Sequence, residues 1–245
     1  MTDPRRHIGD IWTRVHASMR KLQRSVDIRP NRAVDIFRQK EAPAGRSVFE
    51  VKPVVFKFPE KPSHSDQDLF VVVSGSLEFE PPVTGVTLRT SDCRTQIAYF
   101  RAKNGELDHV CGIHYDLEGD LIAHPVFHAQ LTCLSEMRAD VGKAYHLNYE
   151  PGTDFMKGVV PNVRIPTAQM DFFSVALQLC ADHLVNSKSD AGSKNNFLAL
   201  RTYLANSIAG ACRNHPGLVA ASRAECHRAP HWYLDAVPTV GTERP

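Results

Sequence analysis

The 245-residue sequence lacks a long hydrophobic run and several common catalytic motifs. No apolar stretch approaches the roughly 20 residues that cross a bilayer. The first residues, MTDPRR, are not followed by the apolar segment of a secretory signal. We therefore expect a soluble, cytoplasmic protein. A Walker loop and a G-x-S-x-G motif are also absent, which argues against P-loop nucleotide hydrolysis and serine-hydrolase chemistry.

The six cysteines are far apart, and none forms a C-x-x-C pair. Without an export signal, this pattern indicates reduced thiols rather than a disulfide framework. Cys212, His215, Cys226 and His231, with His227 as a spare, form an alternative zinc quartet in which only the first pair has a C-x-x-H spacing.

Charge is nearly balanced overall, with a formal net charge of +2, but it is uneven along the chain. Residues 1–40 contain ten lysines and arginines against four aspartates. Such a basic segment can bind nucleic acid or an acidic protein partner, and it can equally form a solvated helix face.

Apolar spacing in residues 1–40 predicts a helix that ends at Arg29-Pro30. Asn31 is expected to cap a shorter helix that continues to about Arg38. The apolar stripe of the first helix consists of Ile8, Trp12, Val15, Met19, Leu22 and Val26.

Strand-like segments follow from about residue 45 to 135, and Asn104-Gly105 between two of them is a strong hairpin signal. Residues 142–163 look irregular. Thr167 then precedes a largely apolar helix, and a second helix follows over Phe197–Ile208.

These patterns predict an α+β fold with one antiparallel sheet of about five or six strands in a meander, flanked by N-terminal and C-terminal helices. We expect a single domain over residues 1–245. It is divided into a basic helical arm at 1–40, the sheet at 45–135, helices at 165–212 and a loosely ordered tail at 222–245.

The stretch from His109 to His128 contains four histidines in twenty residues. We tested it as two antiparallel strands, 107–117 and 122–131, with a turn centred on Gly119. That register places His114 opposite His124 and Val110 opposite His128, and alternate side chains share a face. One face then collects His114, Asp116, His124 and His128. The other face, with His109 beside Cys111, is mostly apolar and resembles a core.

Three imidazoles and a carboxylate suit a divalent metal such as zinc, iron or manganese. His114-x-Asp116 followed by a later histidine also has the residue types of a two-histidine, one-carboxylate iron triad. The same groups could perform acid–base chemistry without a metal, with Glu118 and Asp120 close by. If Pro125 instead begins a helix, His124 and His128 become an i,i+4 pair on it.

His124-Pro125 followed by Cys133-Leu134 resembles a fragment of the ubiquitin-conjugating (E2) family. That family has a His-Pro-Asn tripeptide shortly before its active-site Cys-Leu, and its order of helix, meander and helices is similar. The resemblance implies a thiol transferase with Cys133 as the acceptor. Val126 stands where the family has Asn, and only about a dozen residues are covered.

Three functions therefore stay open from the sequence. The first is a metal-dependent hydrolase or nuclease-like enzyme that uses His114, Asp116, His124 and His128. The second is a non-enzymatic module that binds protein or nucleic acid. The third is the thiol transferase with Cys133.

Overall fold

A computed structural model gives the fold of the chain. It describes residues 3–42, 45–58, 68–80, 87–103, 106–117, 127–132, 134–149, 164–167, 169–186 and 188–209. Five α-helices and nine strands lie in these ranges. The helices are α1 (Pro4–Leu22), α2 (Ala33–Ile36), α3 (Arg138–Tyr145), α4 (Phe172–Leu179) and α5 (Ala191–Ser207). The strands are β1 (Asp27–Arg29), β2 (Phe37–Lys40), β3 (Ser47–Phe58), β4 (Asp68–Phe79), β5 (Leu88–Lys103), β6 (Glu106–Leu117), β7 (Phe127–Thr132), β8 (Arg164–Pro166) and β9 (Ile208–Ala209).

The strands form an antiparallel sheet in which β3 to β8 follow one another in chain order. β1 and β2 both pair with the outer side of β3, and the short β9 runs parallel to the start of β5. Lys103 is the register partner of Glu106, so β5 and β6 are adjacent antiparallel strands, as the hairpin prediction requires. Asn104 and Gly105 themselves lie outside the described residues. The predicted α+β class, with an antiparallel sheet flanked by N-terminal and C-terminal helices, is confirmed as well.

The larger hydrophobic core lies between one face of the sheet and helices α1, α2, α4 and α5. Asp3 caps α1 by accepting a hydrogen bond from the backbone N–H of Arg5, and Pro4 fits the first helical turn. Of the apolar stripe predicted from Ile8 to Val26, the part from Ile8 to Met19 is buried on the sheet within α1. The helix ends at Leu22 rather than at Arg29, because Asp27–Arg29 pairs with β3 as a strand. The indole N–H of Trp12 donates to the carbonyl of Asn31 at 2.7 Å, which fixes the chain after the helix.

A smaller core covers part of the opposite face of the sheet. There α3 and the 3₁₀ turn before it pack Met137 and Val141 on Val72, Ala98 and Phe100. This helix lies partly in a segment predicted to be irregular, and that prediction was wrong for residues 142–145. Its eight residues, RADVGKAY, carry too few large apolar side chains to give a helical periodicity.

The helix predicted to continue to Arg38 is corrected by the structure. Residues Ala33–Ile36 form a single helical turn, and Phe37–Lys40 form a strand that pairs with β3. The turn begins after Arg32 without a side-chain cap, so Asn31 is not its cap. Pairing with the long neighbouring strand gives these four residues backbone hydrogen bonds that a short isolated helix cannot match.

The two C-terminal helices begin at aspartates. Asp171 caps α4, which continues into a π-helical turn at Cys180–Leu184, and Asp190 caps α5. The first of these caps replaces the predicted Thr167. Among the described residues, no helix is both long enough and apolar enough to cross a membrane.

Candidate metal centre

Strand β6 carries His114 and Asp116 two residues apart, so both side chains point to the same face of the sheet. Strand β7 runs antiparallel to β6 and places His128 directly opposite Asp116. Residues that are directly opposite also share a face. The three side chains therefore meet on the face of the sheet that carries α3.

The three side chains present their ligand atoms to one another. One ligand atom from each of His114, Asp116 and His128 lies within 4.8 Å of the other two. His114 Nε2 is 3.2 Å from Asp116 Oδ2, and the two imidazole rings have their centroids 6.1 Å apart at an interplanar angle of 79°. In the part of the chain that the structure describes, this is the one set of three or more such side chains that lies so close together.

This spacing fits a single metal ion. Bonds of about 2.0–2.2 Å from zinc to nitrogen and oxygen place two ligand atoms at most about 4.4 Å apart. Small side-chain rotations bring atoms that lie within 4.8 Å to that separation. The His128 ring is almost completely buried, at 2% exposure, whereas the side chains of His114 and Asp116 are each 21% exposed. The site therefore has one deeply anchored ligand and two ligands on its solvent side.

The register between β6 and β7 differs from the predicted one. His128 lies opposite Asp116 instead of Val110, which is six positions earlier in β6, and Gln130 takes the place opposite His114. The shift is an even number of residues, so the face assignment survives it. Because Phe127–Thr132 is a strand, the helical alternative for His128 is wrong.

Several predicted site residues lie outside the described residues. His124, the fourth predicted ligand, is among them, and so are Glu118, Asp120 and Cys133. The whole of the alternative zinc quartet also lies there. Of the four residues predicted to form the site, the structure brings three together: His114, Asp116 and His128.

His109 lies on a different face from the predicted one because of a β-bulge. Tyr99 pairs with Cys111 and Phe100 pairs with His109, so Val110 is an extra residue in β6. One extra residue reverses the alternation of the strand beyond it. His109 consequently packs its ring 5.3 Å from the ring of Phe100, on the side of the smaller core.

The opposite face of these strands belongs to the larger core, as predicted for Ile113, Tyr115 and Ala129. Cys111 lies there, opposite Tyr99, and burial raises the pKa of its thiol. A thiol with a raised pKa is a poor nucleophile at neutral pH. We therefore assign Cys111 to packing rather than to chemistry.

Strand β5 adds two polar side chains to the candidate site. Arg94 is the register partner of Asp116, and Gln96 is the register partner of His114. Both side chains are exposed. Neither residue was predicted, because the histidine stretch was analysed as two strands on their own, without the strand that precedes them. Alternation along that strand places Arg94, Gln96 and Ala98 on one face.

The smaller core borders the polar side chains of the candidate site. Gly112, two residues before His114, lies against the side chain of Leu134, which belongs to the smaller core. Arg94 and Gln96 follow Ala98 of the same core along β5. The metal candidates therefore lie beside a packed, dry region rather than on an isolated surface, and such packing holds ligands in fixed positions.

The arginines of α1 lie on a helix that is packed on the body of the protein. Its apolar stripe is buried, while Arg5, Arg6, Arg14 and Arg20 are exposed. The guanidinium carbon of Arg14 lies 5.8 Å from the centre of the Tyr203 ring on α5, which is within the range of a cation–π contact.

Comparison with known proteins supplies no analogy for this fold or this site. No protein family, no curated protein and no solved structure matches the chain.

Proposed function

We propose that the protein binds one divalent transition-metal ion between β6 and β7 through His114, Asp116 and His128, and that it is a metal-dependent hydrolase. The observation that supports this proposal is the approach of three ligand atoms to within 4.8 Å of one another. Two neutral imidazoles and one carboxylate are the ligand types of catalytic zinc sites, and they leave coordination positions for water and substrate.

A metal held there would lower the pKa of a coordinated water toward neutrality and would polarise a substrate oxygen. The protein residues supply the geometry. Buried His128 fixes the position of the ion, and Asp116 offsets part of its charge. The partial exposure of His114 and Asp116 leaves a path to solvent on that side.

The proposed substrate carries phosphate, as nucleic acid and nucleotides do. In the hydrolysis of such an ester, the water oxygen forms a new bond to phosphorus. The bond to the leaving oxygen breaks, and that oxygen takes up a proton. The exposed arginines of α1 lie on the opposite face of the sheet from this site, so they do not bear on the reacting phosphate. They support a separate contact to a polyanionic partner, because lysine and arginine side chains neutralise backbone phosphates.

A second candidate function has the same ligands. Two histidines and one carboxylate with open positions also form the facial triad of non-haem iron(II) oxygenases. The composition of the group at His114, Asp116 and His128 favours this candidate as much as zinc chemistry. The metal that the chain retains, and the chemistry of the loaded protein, separate the two.

The first test is metal binding. The untagged chain, stripped with chelator, should bind one equivalent of Zn²⁺, Mn²⁺ or Fe²⁺ in calorimetry and in elemental analysis after dialysis. His128→Ala and Asp116→Asn should weaken the affinity at least about 100-fold, because loss of a supporting outer partner alone costs 10–100-fold. His146→Asn is the matched control. His146 is exposed, and its φ of 54° is one that asparagine tolerates.

A parent chain that binds none of these metals, or a His128→Ala chain that binds them as tightly as the parent, would overturn the proposal. Retained circular dichroism in both variants is required for the comparison.

Activity then decides between the candidates. The zinc- or manganese-loaded chain should hydrolyse bis(p-nitrophenyl) phosphate, and Asp116→Asn should abolish turnover. Oxygen consumption by the iron-loaded chain would instead indicate an oxygenase. Metal binding without turnover, together with salt-dependent DNA binding, would support the binding module. Loss of function in Cys133→Ser alone would support the thiol transferase.

A further inference from the structure

The strand beside the candidate metal centre places a cation next to it. Arg94 of β5 is directly opposite Asp116, and Gln96 is directly opposite His114. On the other side of β5, Ser76 is the partner of Arg94 and Ser74 is the partner of Gln96. Two rows of polar side chains thus cross the sheet. One continues through Asp116 to His128 on β7, and the other continues through His114 to Gln130.

Two other basic side chains on or beside this sheet have acidic partners. Arg46 pairs with Glu78 at 2.6 Å, and Lys40 pairs with Glu50 at 2.6 Å. Arg94 differs from them, because its guanidinium forms no ion pair or hydrogen bond with another residue in the described ranges. An exposed arginine fork beside a metal site is therefore free to bind a ligand from solution.

Asp116 is the carboxylate closest in register to Arg94, yet it does not pair with that arginine. Its Oδ2 lies 3.2 Å from His114 Nε2 instead. The carboxylate is thus turned toward the other metal ligand, and the guanidinium keeps its donors for another group. Side chains directly opposite in a sheet have Cβ atoms about 4.5–5.5 Å apart. A small anion can therefore contact Arg94 and a metal held by Asp116 at the same time.

We infer that Arg94 binds an oxyanion of the substrate, a phosphate or a carboxylate, that also contacts the metal. Arginine presents paired N–H donors that match two oxygens of such a group. The exposed amide of Gln96 adds a donor beside it. The inference rests on the proposed metal site, and it names the residue that binds the anionic group of the substrate there.

The test titrates the metal-loaded full-length chain with inorganic phosphate, and in a separate arm with acetate, by calorimetry. Arg94→Gln should leave metal affinity unchanged and weaken anion binding by at least about tenfold, because charge-assisted bonds to the guanidinium are lost. Arg101→Gln is the matched control. Arg101 is an exposed arginine of the same strand, also opposite an aspartate, Asp108, but away from the metal site. Tighter binding of phosphate identifies a phosphate-bearing substrate, and tighter binding of acetate identifies a carboxylate.

Equal anion affinity in the parent and in Arg94→Gln, with metal uptake intact in both, would overturn this inference and leave the metal site standing. Loss of anion binding in Arg101→Gln as well as in Arg94→Gln would also count against it, because general charge would then explain the effect. Failure of the parent to bind metal would refute the proposed function and, with it, this inference. Metal uptake is measured separately from anion binding, so the two failures can be told apart.

Discussion

Two aspartates begin the C-terminal helices, and their surroundings move their pKa values in opposite directions. Asp171 is buried and accepts hydrogen bonds from the backbone N–H groups of Phe173 and Ser174 and from the Ser174 hydroxyl. Burial raises its pKa in spite of these bonds. Asp190 is exposed, and hydrogen bonds from the backbone and hydroxyl of Ser193 lower its pKa.

The raised pKa of Asp171 predicts a pH dependence of stability. The folded chain keeps the proton of this carboxyl to a higher pH than the unfolded chain does. The contribution of Asp171 to the free energy of unfolding therefore falls as the pH rises from about 4 through the folded pKa. Asp171→Asn removes this titration, so the stability of the parent relative to the variant should decrease from pH 4 to pH 7 in urea titrations.

Asp190→Asn provides the contrast. Because its folded pKa is lowered, Asp190 contributes stability that is present above the unfolded pKa and is lost as the pH falls through the folded pKa. The stability of the parent relative to Asp190→Asn should therefore increase as the pH rises. The same slope for both variants would contradict the opposite shifts.

The sequence predicted that Thr167 caps α4, whereas the cap in the structure is Asp171. Thr167 precedes the apolar run and is a good capping type. In the fold, β8 pairs with β7, and the N–H of Thr167 donates to the carbonyl of Phe127 at 3.0 Å. This pairing holds Thr167 against β7, and the helix begins only after Asp171. The start of α4 therefore depends on pairing with β7, which is distant in sequence. The capping preference of Thr167 alone does not reveal that pairing.

At the scale of the element, alternation predicted the faces of β6 and β7 but not their register. The period of two is a property of each strand alone, so His114, Asp116 and His128 were assigned to one face correctly. Register depends on the connection between the strands. The predicted turn at Gly119 implied a short connection, whereas the described strands end at Leu117 and resume at Phe127.

The absence of a side chain at Gly112 allows β7 to approach β6 closely. A Cβ atom at this position would lie 2.6 Å from the carbonyl oxygen of Thr132 and 3.0 Å from Cγ of Leu134. Gly112→Ala should therefore cost about 1–3 kcal/mol in the free energy of unfolding, as other overpacked sites do. It should also weaken metal affinity, because it pushes away the strand that carries His128.

Gly9→Ala is the control for this prediction. Its Cβ would meet only the Cβ of Ala33 at 3.7 Å, an ordinary contact between α1 and α2. That substitution should raise stability by about 0.5–1 kcal/mol, because alanine favours the helix. Metal affinity should not change. Unaltered metal binding in Gly112→Ala would show that the site tolerates movement of β7.

At the scale of the whole molecule, one sheet separates two cores of unequal size. Strands β3, β4 and β5 contribute to both, with Phe56, Val71 and Ile97 on the larger side and Val55, Val72 and Ala98 on the smaller. Apolar periodicity in α1 and in the strands was strong enough to predict the larger core. The smaller core depends on α3, whose pattern is weak, so the second layer could not be predicted.

The shared strands predict that both cores unfold together. Met19 is fully buried in the larger core, and Met137, at 6% exposure, lies in the smaller one. Met19→Ala and Met137→Ala should each cost about 2–5 kcal/mol, the range for large-to-small core substitutions. Each should shift a single transition that is the same in far-ultraviolet and near-ultraviolet circular dichroism. A separate early transition in Met137→Ala would show that the α3 layer unfolds independently.

The two edges of the sheet, within the described residues, also affect whether the protein self-associates through its strands. An edge strand offers unpaired backbone groups to a neighbouring chain. On one edge, β2 exposes Arg38, Gln39 and Lys40. On the other edge, β8 is three residues long and ends in Pro166, which has no backbone N–H to donate. At the first edge the charge of Arg38 repels a second copy, whereas Lys40 is paired with Glu50. The second edge gives a second copy little backbone to pair with, so strand-to-strand aggregation is disfavoured at both edges.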